Sequence, residues 1–195
     1  MTRERRLALA QISRGVGRVQ RWLETIYRLG LDLPGDRFVV SPEQARELLP
    51  EGSPRSGLLV LEAGGDLHLG VYVDPADVWD GDTIIEETSH LVCIAWHAVR
   101  EQKVSQLQLE LQSEVDRYAI ARLRHGRGLD HFEDFRWDDR LDAVERDRYE
   151  TAHRVAHRYC RGLEARHPTR ADTPGLLAEL RDFYRRPPHE KLHAA

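Results

Sequence analysis

The sequence predicts an α+β fold that is mainly helical, and three patterns carry that prediction. From residue 9 to residue 26 apolar side chains recur at spacings of three and four, as on one face of an α-helix. Residues 58–63 and 67–73 are strand-like runs on either side of Gly64-Gly65-Asp66, which is typical of a β-hairpin. The stretch 82–124 contains neither glycine nor proline, so long helices are expected to fill it.

The first helix is amphipathic, and Gly30 and Pro34 are expected to end it. The face opposite its apolar stripe is basic. It carries Arg3, Arg5, Arg6, Arg14, Arg18 and Arg21. Such a face suits an acidic partner or a membrane surface, but the overall charge of the chain favours an ordinary solvated face.

The middle of the chain is expected to place the hairpin beside a helix that runs from Asp82 to Glu101. A second helix is expected to follow, because Ser105 with Gln108 three residues later forms a capping box. The short connection near Lys103 makes these two helices antiparallel neighbours.

The C-terminal part is expected to be helical as well. A long helix is predicted from about residue 141 to 166 and a short one over 176–184, and Pro187-Pro188 is expected to lead into a frayed tail. We therefore expect a single domain over 1–195, with a metal-site-like core at 38–124 and a C-terminal helical extension at 141–186.

Composition narrows the class of protein. The 195 residues are 41% hydrophobic and 32% charged, which is too apolar for a disordered chain. A net charge of -4 gives no basic field, so no nucleic-acid partner is expected. No apolar run approaches the roughly 20 residues of a membrane span, and the charged N-terminus lacks a signal core, so a cytoplasmic location is expected. The two cysteines, Cys93 and Cys160, are expected to be buried thiols.

The most informative cluster of chemistry-bearing residues is Glu86-Glu87-Thr88-Ser89-His90, which is framed by apolar residues. Glu86 and His90 are one helical turn apart and can hold one ion between them. Glu87 lies one position further round, where a carboxylate can accept a proton from a water beside that ion. The next helix offers Glu110 and Glu114 on one face as a third ligand.

The order of these elements resembles the small glutamate-type zincins, the minimal zinc peptidases that cleave phage repressors or radiation-response regulators. The resemblance covers roughly residues 38–124 and rests on a helix, a hairpin, an HExxH-like helix, and the second motif Glu114-Val115-Asp116-Arg117-Tyr118-Ala119. It implies that Glu86, His90 and Glu114 are the metal ligands and that Glu87 is the catalytic general base.

One position departs from that family, because Glu86 stands where the motif has its first histidine. Two carboxylates with one imidazole form a harder, more anionic site, which would admit Mn²⁺ or Fe²⁺ as well as Zn²⁺. The same departure is expected in a scaffold that has lost its metal. An ordinary acidic helix start, with an arginine such as Arg117 as counter-charge, also accounts for the cluster.

Three functions follow from these residues. The leading hypothesis is a metal-dependent hydrolase of peptidase type, either active or degenerate, that acts on a protein or peptide. The alternative is a non-catalytic, zincin-like interaction or regulatory protein, for which the Arg-rich first helix and the acidic aromatic stretch around 132–137 would meet partners. The third is a di-iron carboxylate protein with Glu87/His90, Glu114 and Glu150/His153, closed by Glu24. We expect Glu150 to point away from such a centre, and we interpret His153 and His157 as a polar helix edge.

Overall fold

The computed structural model describes residues 3–48, 56–133 and 141–193, and within them the fold is α+β and mainly helical, as predicted. The elements, in chain order, are α1 (Arg3–Tyr27), α2 (Pro42–Leu48), β1 (Gly57–Ala63), β2 (Asp66–Tyr72), α3 (Gly81–Ala98), α4 (Gln106–His125), α5 (Asp130–Glu133), α6 (Ala143–Arg166), α7 (Thr173–Arg185) and α8 (Pro188–His193).

Four long helices form the body of the protein. Helix α3 packs against both α1 and α4, and α4 packs on its other side against α6. Their apolar faces meet in one continuous core, in which Val16, Leu91, Val115 and Ala156 are fully buried. Since α4 lies between α3 and α6, polar residues on its two flanks are brought to two different neighbours.

The hairpin lies beside α3, where the sequence predicts it. Strands β1 and β2 pair antiparallel from Gly57 opposite Tyr72 to Ala63 opposite Asp66. The turn requires left-handed backbone at two consecutive residues, and Gly64 and Gly65 adopt φ values of 63° and 89°. The hairpin therefore covers one face of α3.

Helix α1 ends earlier than the sequence suggests, at Tyr27 rather than near Gly30. Arg28 already has a φ of 54°, so the chain leaves the helix before the glycine. By contrast, the capping box at the start of α4 forms as predicted, with Ser105 and Gln108 each accepting a backbone N–H. Gly126 ends α4 with a φ of 76°.

The frayed C-terminal tail is a prediction that the structure overturns. Residues 188–193 form α8, which starts at a proline because that residue needs no backbone donor in the first turn. The side chain of Lys191 is buried, and its Nζ donates to Gln112 Oε1 at 3.0 Å. The same ammonium lies 5.3 Å from the ring centroids of Phe183 and Tyr184. One inward lysine thus anchors the last helix.

Two further expectations can be compared with the structure. Both Cys93 and Cys160 are buried free thiols, as predicted, and burial raises the pKa of Cys93 to about 12. Among the described helices, none combines the length and the apolar character that a membrane crossing requires. Most of the acidic aromatic stretch, from residue 134 onwards, lies outside the described residues.

Candidate metal centre

Helix α3 carries Glu86, Glu87 and His90 towards α4. Asp80 caps the start of this helix, and its carboxylate accepts hydrogen bonds from the backbone N–H groups of Asp82 and Thr83. Position 86 is therefore already well inside the helix, and positions 86 and 90 lie on one face. Glu87 and His90 are buried, and the side chain of Glu86 keeps 22% of its exposure.

A buried hydrogen-bond network fixes how α4 faces α3. Asp116 on α4 accepts from Tyr27 Oη at 2.5 Å, from Ser89 Oγ at 2.6 Å and from Gln112 Nε2 at 2.8 Å. Because Tyr27 belongs to α1 and Ser89 to α3, this one carboxylate joins three helices. It lies one or two residues from Glu114 and Arg117, so it also sets their position.

The first cluster consists of Glu86, His90 and Glu110. Each of these residues offers one ligand atom, and the three atoms lie within 4.8 Å of one another. His90 Nε2 is 3.4 Å from Glu110 Oε2, and His90 Nδ1 is 3.7 Å from Glu87 Oε2. Repulsion and hydration normally keep carboxylates apart, but here two carboxylates and an imidazole converge from two helices.

Three atoms of this region are buried and have no hydrogen-bond partner among the described residues. They are Glu87 Oε2, His90 Nε2 and Glu110 Oε2. More than nine in ten buried polar groups find a partner, so three such atoms around the His90 imidazole need an explanation. A positive charge shared by the two carboxylates, either a proton on His90 or a metal ion, would supply it.

The spacing also fits a metal ion. Ligand bonds of 2.0–2.1 Å in a tetrahedral arrangement place neighbouring ligand atoms about 3.3 Å apart. The separation of 3.4 Å between His90 Nε2 and Glu110 Oε2 matches that edge. One edge of the cluster thus already has the spacing of a tetrahedral site, and all three ligand atoms lie within 4.8 Å of one another.

The electrostatics of the first cluster are strongly anionic. Burial raises the pKa of Glu86, and the Arg117 guanidinium partly opposes that shift. Burial alone would lower the pKa of His90, but the carboxylates of Glu110 and Glu87 outweigh it and raise that pKa to about 10. Without a metal, a proton on His90 therefore takes the place of a cation.

The second cluster consists of Glu114, His131 and His153, whose ligand atoms also lie within 4.8 Å of one another. Glu114 Oε2 is 2.8 Å from His131 Nε2 and 3.3 Å from His153 Nδ1. This differs from the sequence-based expectation, in which Glu114 was the third ligand beside Glu86 and His90. One turn of α4 separates Glu110 from Glu114, and the earlier of the two faces His90.

Arg117 lies between the two clusters. Its guanidinium donates to Glu114 Oε1 at 3.0 Å and contacts Glu86 on the other side. Although burial alone would raise the pKa of Glu114, His131, His153 and Arg117 lower it to about 2. The two clusters are therefore distinct groups of side chains that share the Arg117 guanidinium.

The di-iron arrangement is not what the structure assembles. Glu150 is exposed, as expected from the helix periodicity, while His153 on the same helix turns towards Glu114. Glu24 lies against the backbone amides of residues 29–31, so it does not close a centre with Glu87. The interpretation of His153 as part of a solvated helix edge is wrong, because its imidazole faces the buried carboxylate of Glu114.

Two residues of these clusters carry little signal in the sequence. Glu110 is visible only as one of two glutamates on the same face of α4. His131 sits in the four-residue helix α5, too short for any periodicity, and only its residue type marks it as a ligand.

Comparison of the chain with family models, with curated proteins and with solved structures finds no significant match.

Proposed function

We propose that the protein is a metal-dependent hydrolase of peptidase type, with a divalent ion held by Glu86, His90 and Glu110 and with Glu87 as general base. The observation that carries the proposal is the first cluster itself. Three ligand atoms converge there, and the buried carboxylate of Glu87 beside them has an oxygen without a hydrogen-bond partner among the described residues. This arrangement resembles the glutamate-type zincins, with Glu110 in the place that the sequence motif gave to Glu114.

The side chains of the first cluster have distinct roles in the proposed reaction. An ion bound at the first cluster supplies Lewis acidity, which polarises a carbonyl group. Glu87 Oε2 is 3.7 Å from His90 Nδ1. In the proposed reaction the Glu87 carboxylate would accept a proton from the attacking water and return it to the leaving amine. Glu86 is the most exposed of the ligands, so solvent and substrate approach from its side.

The charge of the first cluster also calls for a cation. Two arginines accompany the three carboxylates of Glu86, Glu87 and Glu110. Arg148 Nε is 3.8 Å from Glu110, and Arg117 contacts Glu86 as well as Glu114 of the second cluster. With His90 neutral, one to two negative charges remain. A divalent ion balances them, and Zn²⁺, Mn²⁺ and Fe²⁺ all accept this ligand set.

The test is metal loading combined with hydrolysis of a quenched fluorescent peptide library. Protein stripped with EDTA and reloaded with Zn²⁺ or Mn²⁺ should hold an ion at this cluster and cleave peptides. Glu87→Gln should keep the ion and lose at least about 10²-fold in rate, because general-base catalysis contributes that much. Glu150→Gln, an exposed carboxylate outside both clusters, is the matched control and should behave as wild type. Full activity in Glu87→Gln, or no ion lost on changing Glu110→Gln, would refute the proposal.

A non-catalytic binding protein is the second candidate, and one contact favours it. The Arg117 guanidinium touches Glu86 directly, so it can neutralise that carboxylate without a metal. On this alternative, Zn²⁺ and Mn²⁺ would produce no thermal shift, and Glu87→Gln would leave any binding phenotype intact.

A further inference from the structure

We propose that Glu114, His131 and His153 form a second zinc site, separate from the proposed hydrolytic centre. The three residues come from α4, α5 and α6, so their meeting is a product of the fold and not of sequence proximity. Two imidazoles with one carboxylate are a common zinc ligand set that leaves one coordination position open. Nitrogen ligands also favour Zn²⁺ over Mg²⁺ or Ca²⁺.

The distances fit this ion. The separation of 3.3 Å between His153 Nδ1 and Glu114 Oε2 equals the edge of a zinc tetrahedron, about 3.3 Å. The separation of 2.8 Å between His131 Nε2 and the same oxygen needs to widen by about half an ångström. Rotation of an imidazole that is 15% exposed is enough for that change.

The surroundings orient the ligands. Arg117 donates to Glu114 Oε1, which leaves Oε2 as the atom directed at the two histidines. Outer hydrogen bonds of this kind typically fix metal-ligating carboxylates. Phe132 packs its ring 5.2 Å from that of His153, so one side of the cluster is apolar.

The site is accessible from α6. An open groove on the surface of that helix is lined by His153 together with His157 and Arg158. His153 thus belongs to both the groove and the cluster. Arg154 and Arg161 also line this groove and make it cationic, so it favours a small anion as the fourth ligand of a bound ion. The Arg117 guanidinium separates Glu114 from Glu86, so neither carboxylate can bridge two ions, and the two sites are mononuclear.

The experiment counts zinc ions per chain in full-length protein, by titration with Zn²⁺ against a chromophoric chelator. Wild type should bind two ions, His131→Ala one and Glu110→Gln one. His125→Ala removes an exposed histidine outside both clusters and should still bind two. Circular dichroism on each variant checks that it is folded.

A site-specific measurement in wild type makes the result independent of the variants. Zn²⁺ should shift the imidazole ¹⁵N resonance of Nε2 in His131 and of Nδ1 in His153, which are the atoms that face Glu114. If Glu110→Gln loses an ion, His131→Ala loses none and these resonances do not shift, then the second site is refuted and the proposed hydrolase is supported. If His131→Ala loses an ion and Glu110→Gln loses none, then the second site is supported and the proposed hydrolase is refuted.

Discussion

Replacement of Asp116 by alanine is the most direct test of how the helices around the two clusters are held together. The carboxylate is 1% exposed and accepts hydrogen bonds from Tyr27, Ser89 and Gln112. Asp116→Ala removes the acceptor and leaves three donors from α1, α3 and α4 without it. The perturbation therefore reaches three helices through a single side chain.

The expected cost is about 3–5 kcal/mol in the free energy of unfolding at pH 7. Each buried donor left unsatisfied costs about 1–3 kcal/mol, and relief of the buried charge of Asp116 returns part of the sum. For a chain of this size, 1 kcal/mol corresponds to about 2–4 °C, so the melting temperature should fall by about 6 °C or more. This is a large fraction of the 5–15 kcal/mol that holds a typical domain folded.

Thermal and urea unfolding of EDTA-treated protein measure this loss without a contribution from metal. Asp147→Ala, which removes an exposed aspartate from α6, is the control and should melt with wild type. If Asp116→Ala melts within 1 °C of that control at pH 7, then the three hydrogen bonds do not hold the helices together and the reasoning is wrong.

The pH dependence of the same network has a definite sign. Burial raises the pKa of Asp116 to about 6, despite the hydrogen bonds that lower it, whereas an unfolded aspartate titrates near 3.9. The folded protein thus binds the proton more tightly, and this contribution to stability is lost as the pH rises from about 4 to about 6. Asp116→Asn cannot titrate, so its deficit relative to wild type should shrink by about 2 kcal/mol between pH 4 and pH 7. A constant deficit over that range would contradict the assignment.

Two further predictions concern stability away from Asp116. Arg117→Met should destabilise the metal-free protein by about 3–5 kcal/mol, because the buried carboxylate of Glu114 and the partly buried one of Glu86 lose their shared cation. Zn²⁺ should recover part of the loss in differential scanning fluorimetry. Gly128→Ala should cost about 1–3 kcal/mol, since its Cβ would lie 2.5 Å from ring atoms of Tyr118. Gly57→Ala, where nothing lies within 4 Å, is the matched control, and equal melting temperatures for the two alanine variants would show that position 128 tolerates the methyl group.

The local elements could be predicted from the sequence because their signals are local. The hairpin depends on a Gly-Gly turn between two strand-like runs, and the start of α4 depends on a capping box four residues long. The end of the chain could not be predicted in this way. Helix α8 is only six residues long, and what orders it is the contact of Lys191 with Gln112, 79 positions earlier.

The site could be predicted only in part, for a similar reason. Glu86 and His90 share one helix, and their common face follows from helical geometry alone. The choice between Glu110 and Glu114 depends on how α4 is rotated against α3 and α6, and Asp116 sets that rotation through residues of other helices. His153 lies about 100° from the centre of the apolar stripe of α6. A side chain at that angle can be buried or exposed, and here the contact with Glu114 buries it.

The inner surface of α4 has a consequence for the uniqueness of the fold. A helix with only leucine and valine on its buried face can slide by a turn or rotate by some tens of degrees and still bury a similar apolar surface area. Helix α4 instead buries Glu110, Gln112, Glu114, Asp116 and Arg117 within two turns. Any shift in register would set a charge against an apolar neighbour, at a cost of several kcal/mol. The buried polar side chains of α4 thus favour one register and one rotation of this helix over alternative packings of the same helices.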